Sequence, residues 1–179
     1  MSSAINPNMT QGKAIQLDDG VYWIGALDPG LRTFDIILST SNGTTYNAYL
    51  VEGEDGVAVI DTVKEEYADD FFQRLESVTD YSRIKYIVLN HLEPDHTGAL
   101  PELLKRAPQA HVYISQRAQS MLKALLKDNS ADFSLTPVRT GDSISPAPST
   151  LPPLHPPSLP SPAPPSTPPP HPPLPPSCP

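Results

Sequence analysis

One feature constrains this chain before any other: its charge stops at Asp142. The sequence carries 12 Lys and Arg and 20 Asp and Glu, and none lies beyond that residue. From Ser143 to Pro179 the chain is uncharged and holds 18 of the 24 prolines. Such a stretch cannot bury enough apolar surface to offset the entropy of ordering it. The expectation is three segments: a flexible arm over 1–16, one folded domain over 17–142, and a disordered proline-rich tail over 143–179. The net charge of −8 then belongs to the first 142 residues. It argues against nucleic acid or an anionic membrane as partner. No apolar run approaches the roughly 20 residues that span a bilayer. The first residues lack the basic start and apolar stretch of a signal peptide. The one cysteine, Cys178, leaves no intrachain disulfide. A cytoplasmic, reducing compartment is the expectation.

Within the folding portion the hydrophobic period changes partway. Val21–Gly25, Phe34–Ser39, Thr45–Val51 and Val57–Asp61 read as strands. Asn42-Gly43 and Glu54-Asp55-Gly56 read as turns. Val57–Asp61 is apolar enough to be buried on both faces. From Lys64 to Val78, Tyr67, Phe71, Phe72, Leu75 and Val78 recur at helical spacing. A strand over Ile84–Asn90, a helix over Leu100–Ala107, a strand over Ala110–Ser115 and a helix over Gln116–Lys127 follow. That last helix places Met121, Leu122, Leu125 and Leu126 on one side. Phe133–Arg139 starts another strand. Hairpins first, then alternating helix and strand, predict a mixed α/β sheet with helices packed on it. A doubly wound dinucleotide fold is excluded, because no Gly-rich turn follows the first strand.

The chemistry concentrates in Asn90-His91-Leu92-Glu93-Pro94-Asp95-His96-Thr97-Gly98, directly after the apolar Ile87-Val88-Leu89. Loops at strand ends are where mixed sheets place their sites. In an extended segment His91, Glu93 and Asp95 project to one side, and a turn at Pro94-Asp95 brings His96 round. Two imidazoles and two carboxylates form a mixed N/O set. Such a set suits iron, manganese or zinc better than copper or an iron–sulfur cluster. The bland alternative is that Asp95 or Thr97 merely caps the next helix. Four potential ligands within six positions weigh against it. Asp61 is balanced between supporting the site from outside it and capping the helix that follows. His111 reads as a structural or surface histidine. Trp23, Tyr46, Asn47 and Tyr49 read as packing, and Lys64, Glu65 and Glu66 as a solvated helical turn.

His-x-Glu-x-Asp-His after a buried strand resembles the flavodiiron proteins, also called A-type flavoproteins. Hydrolytic relatives on the same fold carry His-x-His-x-Asp-His, so Glu93 stands where they have histidine. Tyr22–Gly25, Gly43–Leu50, Ile60–Val63 and Gly98–Leu103 are similar to the same family. The likeness runs from about Val21 to Asp142. It implies a metallo-β-lactamase-like αββα sandwich, here its N-terminal half only. It further implies a non-haem di-iron centre that reduces dioxygen to water or nitric oxide to nitrous oxide. His91 and Glu93 would bind one iron, Asp95 and His96 the other. FMN on a flavodoxin-like domain of the neighbouring subunit in a homodimer would resupply electrons. The electrons would come from a rubredoxin-like protein or a flavin reductase.

The resemblance also implies what this sequence lacks. The family uses a further histidine for each iron and a bridging aspartate. His155 lies in the right neighbourhood for the first, but within Leu151-Pro152-Pro153-Leu154-His155-Pro156, and no Asp follows Asp142. The flavodoxin-like domain is missing altogether. A shifted reading frame or mispredicted exon near codon 142 is one account of the tail. A polyproline-II arm that docks on aromatic grooves is another. Alternatives to the oxidoreductase are an inactive fragment, a proline-rich binding module, or a zinc hydrolase of the same fold. Half a sandwich would expose an apolar face, so poor solubility or dependence on a partner is expected.

Overall fold

The computed structural model describes residues 12–34, 38–126, 133–139 and 141–142. Its centre is a seven-stranded sheet. The strands are β1 (Ile15–Asp18), β2 (Val21–Trp23), β7 (Tyr49–Glu52), β8 (Val57–Ile60), β9 (Ile84–Leu89), β10 (His111–Ser115) and β11 (Ser134–Val138), in that spatial order. β1, β2, β7 and β8 pair antiparallel; β8, β9, β10 and β11 pair parallel. Two small hairpins stand apart: β3 (Ala26–Asp28) with β6 (Thr44–Tyr46), and β4 (Thr33–Phe34) with β5 (Leu38–Ser39).

The change of hydrophobic period marks the change of pairing. Tight turns can join only antiparallel strands, whereas parallel neighbours need a crossover. Helices supply the crossovers: α1 (Ala68–Glu76) between β8 and β9, α2 (Pro94–Thr97) and α3 (Leu100–Arg106) between β9 and β10, and α4 (Gln119–Leu125) between β10 and β11. Pro101 falls in the first turn of α3, where its missing N–H costs nothing. Phe71, Phe72 and Leu75 of α1, Leu100, Leu103 and Leu104 of α3, and Leu122 of α4 join one core with Leu50, Val59, Ile87 and Val112 of the sheet. Val57, Ala58 and Val59 are fully buried, as a strand covered on both faces must be. A bulge at Lys85 sets two residues of β9 against Val57. It lets Ile84 and Ile87, three apart, both face the core.

Several expectations are corrected. Phe34–Ser39 is not one strand: Thr33–Phe34 and Leu38–Ser39 pair with each other, with residues 35–37 outside those described. Thr45–Val51 is broken. β6 belongs to a small hairpin and β7 to the large sheet, because between them Asn47 accepts a hydrogen bond from Trp23 Nε1 (3.1 Å) and Ala48 one from the Ile24 N–H (2.9 Å). The arm over 1–16 contributes an edge strand from Ile15, its first eleven residues lying outside those described. The helices expected from Lys64 and Gln116 each open with a 3-10 turn, Glu65–Tyr67 and Gln116–Ala118. Leu122 and Leu126 are buried, while Met121 (58% exposed) and Leu125 (38%) are not. The tail over 143–179, with His155, lies outside the described residues.

Candidate metal centre

Two adjacent parallel strands, β8 and β9, end side by side and present their following loops together. Asp61 leaves β8 with a left-handed backbone (φ 57°), unusual for a residue with a side chain. Its N–H donates to the Val88 carbonyl (2.8 Å), and its Oδ1 accepts the Asn90 N–H (2.7 Å). Asp61 therefore ties the end of β8 to the start of the loop after β9. Of the two roles weighed for Asp61, helix capping does not occur, since the helical turn after it starts from Lys64.

A second clasp holds the far side of the loop. The Thr62 N–H (2.9 Å) and hydroxyl (2.8 Å) both donate to the His96 carbonyl, and the Ala99 N–H donates to Val63 (3.0 Å). Inside the loop, the Glu93 carbonyl accepts the N–H groups of His96 (2.9 Å) and Thr97 (3.1 Å) and the Thr97 hydroxyl (3.0 Å). Neither Asp95 nor Thr97 caps α2 through its side chain. Gly98 is required by proximity, because a Cβ there would overlap the Glu65 backbone nitrogen.

The loop's side chains meet in pairs. His91 Nε2 lies 3.1 Å from Glu93 Oε1, and both side chains are about half exposed. His96 Nε2 lies 3.7 Å from Asp95 Oδ2, and the His91 and His96 rings meet edge-on at 5.3 Å. On its other side, His96 Nδ1 lies 3.5 Å from Asp61 Oδ2. That nitrogen is buried, and the approach falls short of hydrogen-bond geometry. Asp61 holds the His96 imidazole above its ordinary proton affinity, against burial, with Asp95 and Glu93 adding to the pull. An open cleft of about 290 Å³ adjoins the loop, lined by the polar His91, Glu93 and Ser115 and the apolar Leu92, Ile114 and Met121 among others.

Among the described residues, no three His, Cys, Asp or Glu side chains gather as a set able to hold a metal. The structure thus joins His91 to Glu93, and His96 to Asp95 and Asp61, without closing the four into one cage. The chemistry of the donors still fits iron or zinc as part of a larger set. A buried Nδ1 facing a carboxylate, with Nε2 turned to the loop, is how a protein orients a ligating imidazole from behind. His91, Glu93, Asp95 and His96 would hold the metal. Asp61 and Thr62 would hold those residues. The clasp by Thr62 was beyond the reach of sequence reasoning. Only Gly98, a glycine directly after the donors, signalled a close backbone approach. His111 is exposed on β10, against Tyr113.

Comparison with known proteins agrees with this geometry. The family model described as the metallo-beta-lactamase superfamily matches residues 42–179. The type A flavoprotein of Rhodobacter capsulatus is 66% identical over 126 residues, 70% of this chain and 29% of its own. The nitric oxide reductase of Moorella thermoacetica is 42% identical over 132 residues, 73% of this chain and 32% of its own. The solved structure of rubredoxin oxygen:oxidoreductase from Desulfovibrio gigas superposes with a TM-score of 0.71 at 35% identity, covering 77% of this chain and 34% of that one. The chain spans about a third of the length of these relatives. With a mixed sheet, a His-x-Glu-x-Asp-His loop at the end of β9 and these relatives, the chain belongs to the metallo-beta-lactamase superfamily, in its flavodiiron (type A flavoprotein) branch.

Proposed function

We propose that residues 17–142 are the metal-binding part of a flavodiiron oxidoreductase that reduces dioxygen or nitric oxide. The observation that carries this reading is Glu93, a carboxylate where the hydrolases of this fold place an imidazole. It is a hard, anionic donor suited to iron that changes oxidation state. His91 and Glu93 would serve one iron, and Asp95 and His96 the other. A bound di-iron pair would supply the electrons and the binding position for a small gas molecule. The chain's own residues do the rest. Asp61 fixes the face that His96 turns inward, and the Thr62 and Val63 clasps set the loop's shape before any metal arrives. The cleft beside His91 includes Leu92, Ile114 and Met121 in its lining and, among the described residues, no Lys or Arg that would pair with an anionic substrate.

The relatives' names point to the same two gases. One is a nitric oxide reductase, another a rubredoxin oxygen:oxidoreductase. By that likeness the electrons would come from FMN on a flavodoxin-like domain, supplied by a rubredoxin-like donor or a flavin reductase, in a homodimer. No helix among the described residues is long and apolar enough to cross a membrane. We place the protein in the cytoplasm, with the arm ending before the edge strand that starts at Ile15 and with 143–179 as a proline-rich segment.

The test is metal analysis of the purified chain after anaerobic loading with ferrous iron and, separately, with zinc. Iron retained by the wild type and lost in His91→Ala is the expected result. Zinc retained in preference to iron would favour a hydrolase of the same fold. A folded chain that keeps neither would make the loop an idle inheritance, and the chain an inactive fragment.

A further inference from the structure

We propose that Met121 is a sacrificial oxidation site, whose thioether takes up hydrogen peroxide released beside the donor loop before it reaches His91. The inference rests on the oxygen chemistry proposed above. Packing gives α4 no reason to carry a large apolar side chain at this position. The helix turns Leu122 to the core, and Leu126 just after it is buried too, whereas Met121 is 58% exposed. What Met121 does line is the cleft that His91 and Glu93 also line. That cleft is open, and at about 290 Å³ it has room for several water-sized molecules. The His91 and Glu93 side chains are about half exposed, so a small polar product formed there has a free path into the same space.

The chemistry needs no further reactant. Full reduction of dioxygen to water takes four electrons and four protons. Stopping at two of each gives hydrogen peroxide. The Met121 sulfur then donates an electron pair to one peroxide oxygen, and the O–O bond breaks. That oxygen stays on sulfur as the sulfoxide, and the other leaves as water with both protons. Sulfur loses two electrons and the peroxide gains them. A thioether is soft and polarizable, and its oxidation is a common outcome wherever oxidants form. The same oxygen placed on the His91 ring would spoil a donor. At Met121 it costs the fold little, because the sulfoxide stands in water and not in the core. Dedicated reductases return methionine sulfoxide to methionine, and a side chain exposed on an open cleft is accessible to them. Of the other two methionines, neither Met1 nor Met9 lies among the described residues.

The test uses the full chain, loaded anaerobically with ferrous iron and exposed briefly to dioxygen, with and without catalase. Iron content is measured on the same sample, and peptide mass analysis reads the sulfoxide at Met1, Met9 and Met121. The expected result is sulfoxide at Met121 severalfold above that at Met1 and Met9. Catalase should leave it unchanged, since that enzyme removes only peroxide that has left the cleft. In His91→Ala the selectivity should vanish with the iron. Met121→Leu should keep its iron, and the peptide carrying His91 should gain an oxygen severalfold more often. Equal oxidation of the three methionines at full iron content overturns the proposal and leaves the metal assignment standing. So does suppression of the Met121 sulfoxide by catalase, or unchanged oxidation of His91 in Met121→Leu. A chain that retains no iron overturns the metal assignment, and this inference with it.

Discussion

Two aspartates, Asp28 and Asp61, are equally buried (7% and 6% exposed), each at the end of a strand, yet the chain uses them differently. Asp28 is fully satisfied. Its Oδ1 accepts the N–H groups of Gly30 (3.2 Å) and Leu31 (2.9 Å), and its Oδ2 accepts the Tyr46 hydroxyl (3.0 Å). The Tyr67 ring packs against Tyr46 at 5.1 Å, tilted by 46°. Asp61 accepts one short backbone bond on Oδ1 and a long one from the Asn90 side-chain amide on Oδ2 (3.5 Å), on a left-handed backbone, with the His96 imidazole just outside hydrogen-bond geometry. A carboxylate that takes three short hydrogen bonds from its own neighbourhood locks a local turn. One with a single short bond, on left-handed backbone beside His96, instead ties two loops together and faces a side chain of the donor loop.

The comparison can be broken in order of effect. Gly98→Ala should be the most damaging single change, costing about 3 kcal/mol or more by forcing the donor loop off the Glu65 backbone. A denaturant midpoint within error of the wild type would show the loop to be loosely held. Asp28→Ala should cost about 2–3 kcal/mol, since it strands two backbone N–H groups and a buried hydroxyl. Acid should erase much of that difference. Burial pushes the Asp28 carboxyl up, but hydrogen bonds from Tyr67, Tyr46, Leu31 and Gly30 outweigh it and hold it below the ordinary value of 3.8. Because the folded value is the lower one, the stability it contributes is complete above the unfolded value. It is lost as pH falls through the folded value. The gap in midpoint between wild type and Asp28→Asn should therefore narrow on going from neutral pH to pH below 4. A constant gap would mean that packing, not charge, sets the cost.

Asp61→Asn should change stability little, because asparagine tolerates the left-handed backbone and still accepts the Asn90 N–H. Its effect should appear at His96, whose titration by NMR should move down once the carboxylate is gone. An unmoved His96 would place Asp61 with Asp28 as purely structural. The smallest effect belongs to Lys64→Ala. It removes an exposed 3.1 Å pair with Glu66 beside the clasp, and should leave the denaturant midpoint within error of the wild type.

What the sequence made legible follows from how each signal is encoded. β8 is short, apolar and almost wholly buried, and β9 ends in the buried run Ile87-Val88-Leu89, so pattern alone locates them. The donors stand in one loop and are read off directly. Thr45–Val51 looked continuous because β-branched and aromatic residues run straight through it. The break at Asn47-Ala48 is made by Trp23 and Ile24, some 24 positions away. Asp61 stayed balanced between two roles, since its partners Asn90 and His96 come together only across parallel strands. Asp28 is legible in a different way, since Asp28-Pro29-Gly30 is a local turn signal that needs no distant partner to be read.

The clasp on the donor loop has an evolutionary corollary. The Glu93 carbonyl takes three hydrogen bonds, and the His96 carbonyl takes two from Thr62. Neither set depends on which side chain position 93 carries. The mould is written in main chain and the reactivity in side chains. A lineage could therefore exchange imidazole for carboxylate there, and one reaction for another, while every strand and clasp stayed where it was.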